Sequence, residues 1–233
     1  MLISRLVHWS TRYWIIPFSI VWGIYIGLPW LAPVSMKVGW TNLAHAIYWL
    51  YSFQCHQFPE LSFFLFGRKP TYSLEEIQAA WQFTNNPLIL RQFLGNPDMG
   101  WKVAWCERTT WWYGSIWLGA WPFYIFRKKI PAFPLWALIL SAMPMAIDGV
   151  THTISDLAGI GAGFRNSNGW LVAMTQHTLS NTFYTSDAFG SFNFWMRMAS
   201  GVILGIALVW FVVTRIGENQ NSTGLLRTNR SGW

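Results

Sequence analysis

Trp14-Ile-Ile-Pro17-Phe-Ser-Ile-Val-Trp22-Gly23-Ile-Tyr25-Ile-Gly27-Leu-Pro29-Trp-Leu-Ala-Pro33-Val34 is almost wholly apolar and carries no charge. Roughly 20 such residues, rising about 1.5 Å each as a helix, cross a hydrocarbon core about 30 Å thick. The run is too long for the apolar part of a signal peptide, and no small-x-small cleavage site follows it. It therefore reads as a first transmembrane helix over 14–34, ended by its C-terminal prolines.

Composition extends that reading to the whole chain. Of 233 residues, 53% are hydrophobic and 11% charged, against about 25% charged in an average soluble domain. Such a chain cannot meet water on every side, so lipid covers part of it. The 18 Trp and 8 Tyr suit the headgroup level, where an apolar ring and a polar edge are both satisfied. The net charge of +7 fits basic residues facing anionic lipid, and no nucleic-acid motif accompanies it. The length predicts one membrane domain over 1–233.

Working outward, three more runs are long enough to span, near 109–127, 130–148 and 197–215. Asp148 ends the third. Trp40 to Phe53 is apolar but too short to cross, and reads as an interfacial or re-entrant helix. Ser73-Leu-Glu-Glu76 is a capping box that opens a short helix through about Phe83. Asn96-Pro-Asp-Met-Gly100 is a turn. The expected fold is thus all-α and polytopic: about four spans, one interfacial helix and two extended outer loops, 35–108 and 149–196. The tail, 216–233, is polar and reads as disordered from composition. Arg5, Arg12, Arg127, Lys128, Lys129, Arg215, Arg227 and Arg230 fall on one side with Glu218 as the only acid. The positive-inside rule makes that side the cytoplasm, with both termini there, in a cell (inner) membrane.

On this topology the unusual polar residues gather on the outer side. Cys55, His56, Cys106 and Arg108 lie in or beside the first loop, Asp148 and His152 at the end of the third span, and Arg165 and Arg197 beyond. Asp148 and His152, four apart, share a face if the helix continues. Charges at a membrane edge tend to be paired, solvated or functional. The two cysteines are open to several readings: a disulfide on an oxidising face, weak zinc ligands with His56 and His152, or small buried apolar groups. Arg108 and Arg197 are equally headgroup anchors, and the Trp105, Trp111 and Trp112 stretch is an interfacial belt.

These motifs have a family resemblance. Cys55-His56-Gln57-x-Pro59, followed by Ser62-Phe63-Phe64-x-x-Gly67, resembles a family of small integral membrane proteins of bacteria and archaea whose function is unknown. The family's Cys-x-Arg-Cys-type box is matched by Cys106-Glu-Arg108-Thr109, and its Asp-Gly-x-Thr-Gln element by Asp148-Gly149-Val-Thr151-His152. Its later patches are matched by Arg165-Asn-Ser167-Asn168 and by Asn193, Arg197 and Gly201. The likeness covers roughly residues 20–214. Leu61, Thr109 and His152 replace the family's Arg, Cys and Gln, and two aromatic inserts, 70–103 and 169–192, enlarge the outer loops. The resemblance carries no activity with it.

Two functions follow. A non-catalytic accessory or structural subunit of a larger membrane complex, photosynthetic or respiratory in type, would use the degenerate boxes and aromatic loops as a binding surface for other membrane-protein subunits. A membrane-embedded enzyme on a lipid or quinone-like substrate would use Cys55 or His56 as ligand or nucleophile, Asp148 as ligand or base, and Arg108 and Arg197 as an anion clamp. Pigment, quinone or lipid could line the aromatic faces. The inserts are expected to pack together as a cap over Cys55 and Cys106.

Overall fold

The structure is a computed structural model that describes residues 13–127 and 129–230, with side chains through Ile216. Arg5, Arg12 and Lys128 lie outside the described residues, as do the side chains of Glu218, Arg227 and Arg230.

Helix α1 (Ile15–Lys37) is the apolar run that decided the fold. Pro29 and Pro33 lie inside it rather than ending it. In lipid a helix tolerates proline because neighbouring groups satisfy the freed carbonyls. The stop comes at Gly39, whose φ of 86° lets Trp40 N–H bond back to Ser35 O at 2.8 Å, the left-handed ending that glycine favours. Helix α2 (Thr41–Tyr51) is the expected short helix. It buries Ala44, Ile47, Tyr48 and Tyr51 at helical spacing and leaves Trp40, Leu43, Trp49, Leu50 and Phe53 exposed.

The first long loop contains a sheet, which corrects the all-α expectation. After a 3-10 turn (Pro59–Leu61) come β1 (Ser62–Leu65), α3 (Leu74–Ala80), α4 (Pro87–Leu90), β2 (Gly95–Asn96) and β3 (Gly100–Cys106). The strands pair antiparallel in the order β1-β3-β2. The capping box forms as read, with Ser73 and Glu76 exchanging bonds, but α3 stops at Ala80, short of Phe83. At the Asn96 turn, the side-chain Oδ1 accepts from the backbone N–H of Asp98 and Met99 at 3.0 and 2.8 Å. A Cβ on Gly67 would lie 1.8 Å from Met99 O, so glycine there allows the chain segments to meet.

Three long helices complete the frame. Helix α5 (Glu107–Phe126) follows β3 directly. Helix α6 (Leu135–Asp156) has Pro134 as its N-cap and continues eight residues past Asp148, so Asp148 does not end it. Short helices α7 (Phe164–Ser167), α8 (Gly169–Thr175) and α9 (Asn181–Tyr184) occupy the second loop. Helix α10 (Phe192–Arg230) then packs against both α5 and α6. It carries helix into the tail that composition assigns to disorder. Extending an existing helix avoids the costly nucleation step.

Among the described residues, three helices are long and apolar enough to cross a membrane: Ile15–Lys37, Leu135–Asp156 and Phe192–Ile216. Helix α6 shows what solvent they suit. Its buried residues are Asp148 and Ser155, while Leu135, Trp136, Ile139, Leu140, Met143 and Ile147 are exposed. A helix facing water turns its apolar stripe inward; this one turns it outward, as lipid requires.

The aromatic inserts do not form the expected cap. They approach where Phe189 N–H donates to Thr71 Oγ1 at 2.6 Å. The first insert builds its own small core from Phe64, Tyr72, Ile77, Phe93 and Met99. Cys55 belongs to a separate core with Ala44, Ile47, Tyr48 and Tyr51 of α2 and Val103, Ala104 and Trp105 of β3.

Candidate functional site

The predicted Cys-His-Gln box separates into three roles. Cys55 is buried and Cys106 half-buried, both as free thiols. The backbone N–H groups of Gln57 and Cys106 donate to Cys55 Sγ at 3.4 and 3.2 Å. A hydrogen bond between the thiols pushes Cys55 up and Cys106 down from their ordinary values; Thr109 and Arg108 also favour the Cys106 thiolate. Thr109, which stands where the resembled family has cysteine, contacts Cys106 Sγ through its hydroxyl at 3.0 Å. His56 faces outward, exposed, with Phe58 as its ring neighbour. Gln57 is the structural member. It takes a left-handed φ of 56° and its amide donates to Tyr48 O at 2.8 Å and Ala104 O at 3.0 Å. A strained backbone of this kind persists only where its surroundings hold it.

Of the charged residues singled out in the sequence, Arg108 and Asp148 pair and Arg165 joins them, whereas Arg197 does not. Arg108, at the start of α5, donates from Nε and Nη2 to Asp148 Oδ2 at 3.1 and 2.6 Å. Arg165 approaches the same carboxylate from the other side, with Nη2 2.7 Å from Oδ1, and also reaches Asp148 O at 2.7 Å. Asp148 is 6% exposed, so two guanidinium groups replace its water. Asn193 and Asn168 then fix the Arg165 loop: both side-chain amides donate to Arg165 O, at 2.9 and 2.7 Å.

Arg197 sits in a second cluster. Its Nη2 lies 3.0 Å from Glu107 Oε2 and its Nη1 2.5 Å from Asp187 Oδ1. Arg197 is 1% exposed and Glu107 fully buried. Burial pushes the Asp187 carboxyl up, but the Arg197 guanidinium and then His152 outweigh that and hold it below its ordinary value. His152 Nδ1 pairs with Asp156 Oδ2 at 3.1 Å. Because Glu107 and Arg108 are consecutive, the first turn of α5 joins the two clusters. The N-terminal end of α10, the C-terminal part of α6 and the second loop are all tied to it.

Glu107, Asp187, Glu60 and Lys102 were absent from the expected site. Glu107 could have been found from its place beside Arg108. Lys102 has no such signal: it is fully buried in β3, with Nζ donating to Gln57 O and Arg91 O at 2.8 and 2.7 Å. Among the described residues, no group of three or more His, Cys, Asp or Glu side chains is placed to hold a metal ion. The proposed ligands Cys55, His56, Cys106 and His152 do not converge on one point: His56 turns out to solvent and His152 pairs with Asp156.

Comparison with known proteins supports a membrane protein. Residues 99–211 match a family described as predicted membrane protein (DUF2085). The matched span holds Cys106, Arg108, Asp148, Arg165 and Arg197 but begins after the Cys55-His56-Gln57 box. The uncharacterized protein MJ1492 of Methanocaldococcus jannaschii is 29% identical over 132 residues, which is 53% of this chain and 63% of that relative. The chain therefore spans less than two thirds of the relative's length. No solved structure matches it.

Proposed function

We propose that the chain is a four-span member of the family matched at 99–211, set in the cell membrane with both termini cytoplasmic, and that it serves as a non-catalytic accessory subunit of a membrane complex. A parity argument supports the fourth span. Thr71 and Phe189 are hydrogen-bonded, so an even number of crossings must separate them. Helices α5 and α6 are the two long helices between those residues. If α6 crosses, α5 crosses as well.

The observation that carries the non-catalytic reading is the state of the charged groups. Arg108, Asp148, Arg165, Arg197 and Asp187 are engaged with one another, which leaves them holding helix ends together rather than facing a substrate. Outside the long helices, Phe83 is 87% and Leu88 67% exposed, which suits a contact with a neighbouring subunit. Purification from native membrane in mild detergent tests this. The chain is expected in a stoichiometric complex from which Phe83→Ser with Leu88→Ser releases it. A wild-type chain that purifies alone overturns the reading.

A second reading has one specific support. An apolar hollow of about 750 Å³ lies beside Trp105, Thr110, Trp111, Trp117 and Val202. Trp105 and Trp111 are both there, and their buried indole N–H groups have no partner among the described residues. A quinone-like or lipid substrate carrying a carbonyl would satisfy such a donor, next to the Cys106 thiol in sequence. Turnover of such a substrate, lost in Cys106→Ser, would favour this enzyme.

A further inference from the structure

A second hollow, of about 710 Å³, lies between the 3-10 turn, the Lys69–Glu76 strap, the end of α6 and the 182–189 loop. Its volume falls in the range of roughly 300–1,000 Å³ typical of small-ligand sites. Five carboxyl groups line it, those of Glu60, Glu75, Glu76, Asp156 and Asp187, against the cationic Lys69 and the imidazole of His152. Three of the five have partners: Glu76 pairs with Lys69, Asp156 with His152 and Asp187 with Arg197. Glu75 is exposed at the rim and has no ion pair among the described residues.

Glu60 is the independent sign of a ligand. It is 4% exposed, forms part of the wall, and its Oε2 has no hydrogen-bond partner among the described residues. A buried carboxyl oxygen left unsatisfied costs about 1–3 kcal/mol or more. The nearby buried cation, Lys102, gives its donors to the carbonyls of Gln57 and Arg91 instead. The wall thus carries more carboxyl groups than the cations around it pair with. A bare metal ion suits it poorly, because no three of the acidic or imidazole groups converge. Dispersed carboxylates with the hydroxyls of Thr182 and Thr185 around them match a group with several N–H donors pointing in different directions.

We propose that this hollow binds an ammonium group, donated to Glu60 at the back and Glu75 at the rim, and belonging either to a soluble polyamine or to the amine headgroup of a phospholipid. The proposal stands independently of whether the chain is a complex subunit. The full chain in a neutral detergent is titrated calorimetrically with spermidine, with magnesium chloride as the control. In parallel, lipid retention is read by native mass spectrometry after reconstitution in phosphatidylcholine with or without phosphatidylethanolamine. A soluble source predicts saturable spermidine binding, weakened roughly tenfold or more in Glu60→Gln and a few-fold in Glu75→Gln. A lipid source predicts retained phosphatidylethanolamine that both substitutions remove and that spermidine displaces. The exposed Glu75 keeps the test valid if Glu60→Gln fails to fold. The proposal is overturned if neither amine is held by the wild-type chain, if both substitutions leave binding unchanged, or if magnesium binds more tightly than spermidine.

Discussion

Asp148 shows how far a single residue could be read. Its place at an apolar edge marked it as a charge that is paired, solvated or functional, and it pairs with two arginines, Arg108 and Arg165, rather than with His152. Removing one partner from a buried pair leaves the others uncompensated, at a cost of about 3–5 kcal/mol. Asp148→Asn is therefore expected to lower the melting temperature in detergent by roughly 6–20 °C, and an unchanged melt would remove the clasp from the stability account. Glu60 and Lys102 were not legible, because their environment comes from a sheet the sequence did not announce. Burial raises the Glu60 carboxyl from 4.5 to about 7. The folded state thus holds a proton that the unfolded chain has already lost. Its contribution to stability is complete below pH 4.5 and is lost as pH rises through about 7, on the order of 3 kcal/mol over that window. Burial lowers Lys102 from 10.5 to about 7; the unfolded chain binds the extra proton there, so stability rises between about pH 7 and 10.5. Glu60→Gln should flatten the acidic limb of the stability profile and leave the alkaline limb in place. Denaturant midpoints across pH 4–10 check this, and an acidic limb that survives the substitution counts against the assignment.

At the scale of elements, apolar length identified the helices well and their ends poorly. Proline was read as a stop at Pro33, whereas a bilayer-spanning helix absorbs it. Asp148 was read as a stop because a charge inside an apolar run suggests an edge, but Arg108 and Arg165 neutralise it and the helix continues. The sheet escaped notice because β1 and β2 are four and two residues long, too short to show alternation. Packing between helices is also set by features that only close approach reveals. A Cβ on Gly205 of α10 would lie 2.0 Å from Ser115 Oγ and 2.7 Å from Trp112 O of α5, and one on Gly201 would lie 3.1 Å from Arg108 O. Small residues at such crossings let backbones meet, which drives helix association in lipid. Gly205→Leu should wedge α5 from α10 and cost about 1–3 kcal/mol, whereas Gly27→Leu, with open space around its Cβ position, should cost far less. Equal losses at the two positions, measured by thermal melting in one detergent, would show that the crossing is not under this constraint.

The whole molecule turns on whether α5 crosses the bilayer. This helix opens with Glu107 and Arg108 and is rich in Trp, Tyr and Gly along its length, and it is not among the described helices apolar enough to cross by length and composition, so composition alone does not settle its place. Geometry constrains it further. Asp148 lies about 20 Å along α6 from Leu135 at the usual helical rise, and its partner Arg108 lies at the far end of α5 from the connection. Both helices therefore cover nearly the same depth, in opposite directions. If α5 lay flat on the surface while α6 crossed, Thr71 and Phe189 would be on opposite faces, and their hydrogen bond could not form. Cysteines introduced at Glu75 and at Lys129, in a background with Cys55→Ser and Cys106→Ser, separate these arrangements. A membrane-impermeant maleimide applied to intact cells should label position 75 and not position 129, and permeabilised cells should label both. Labelling of both positions from outside would leave α5 on the outer face and break the four-span arrangement.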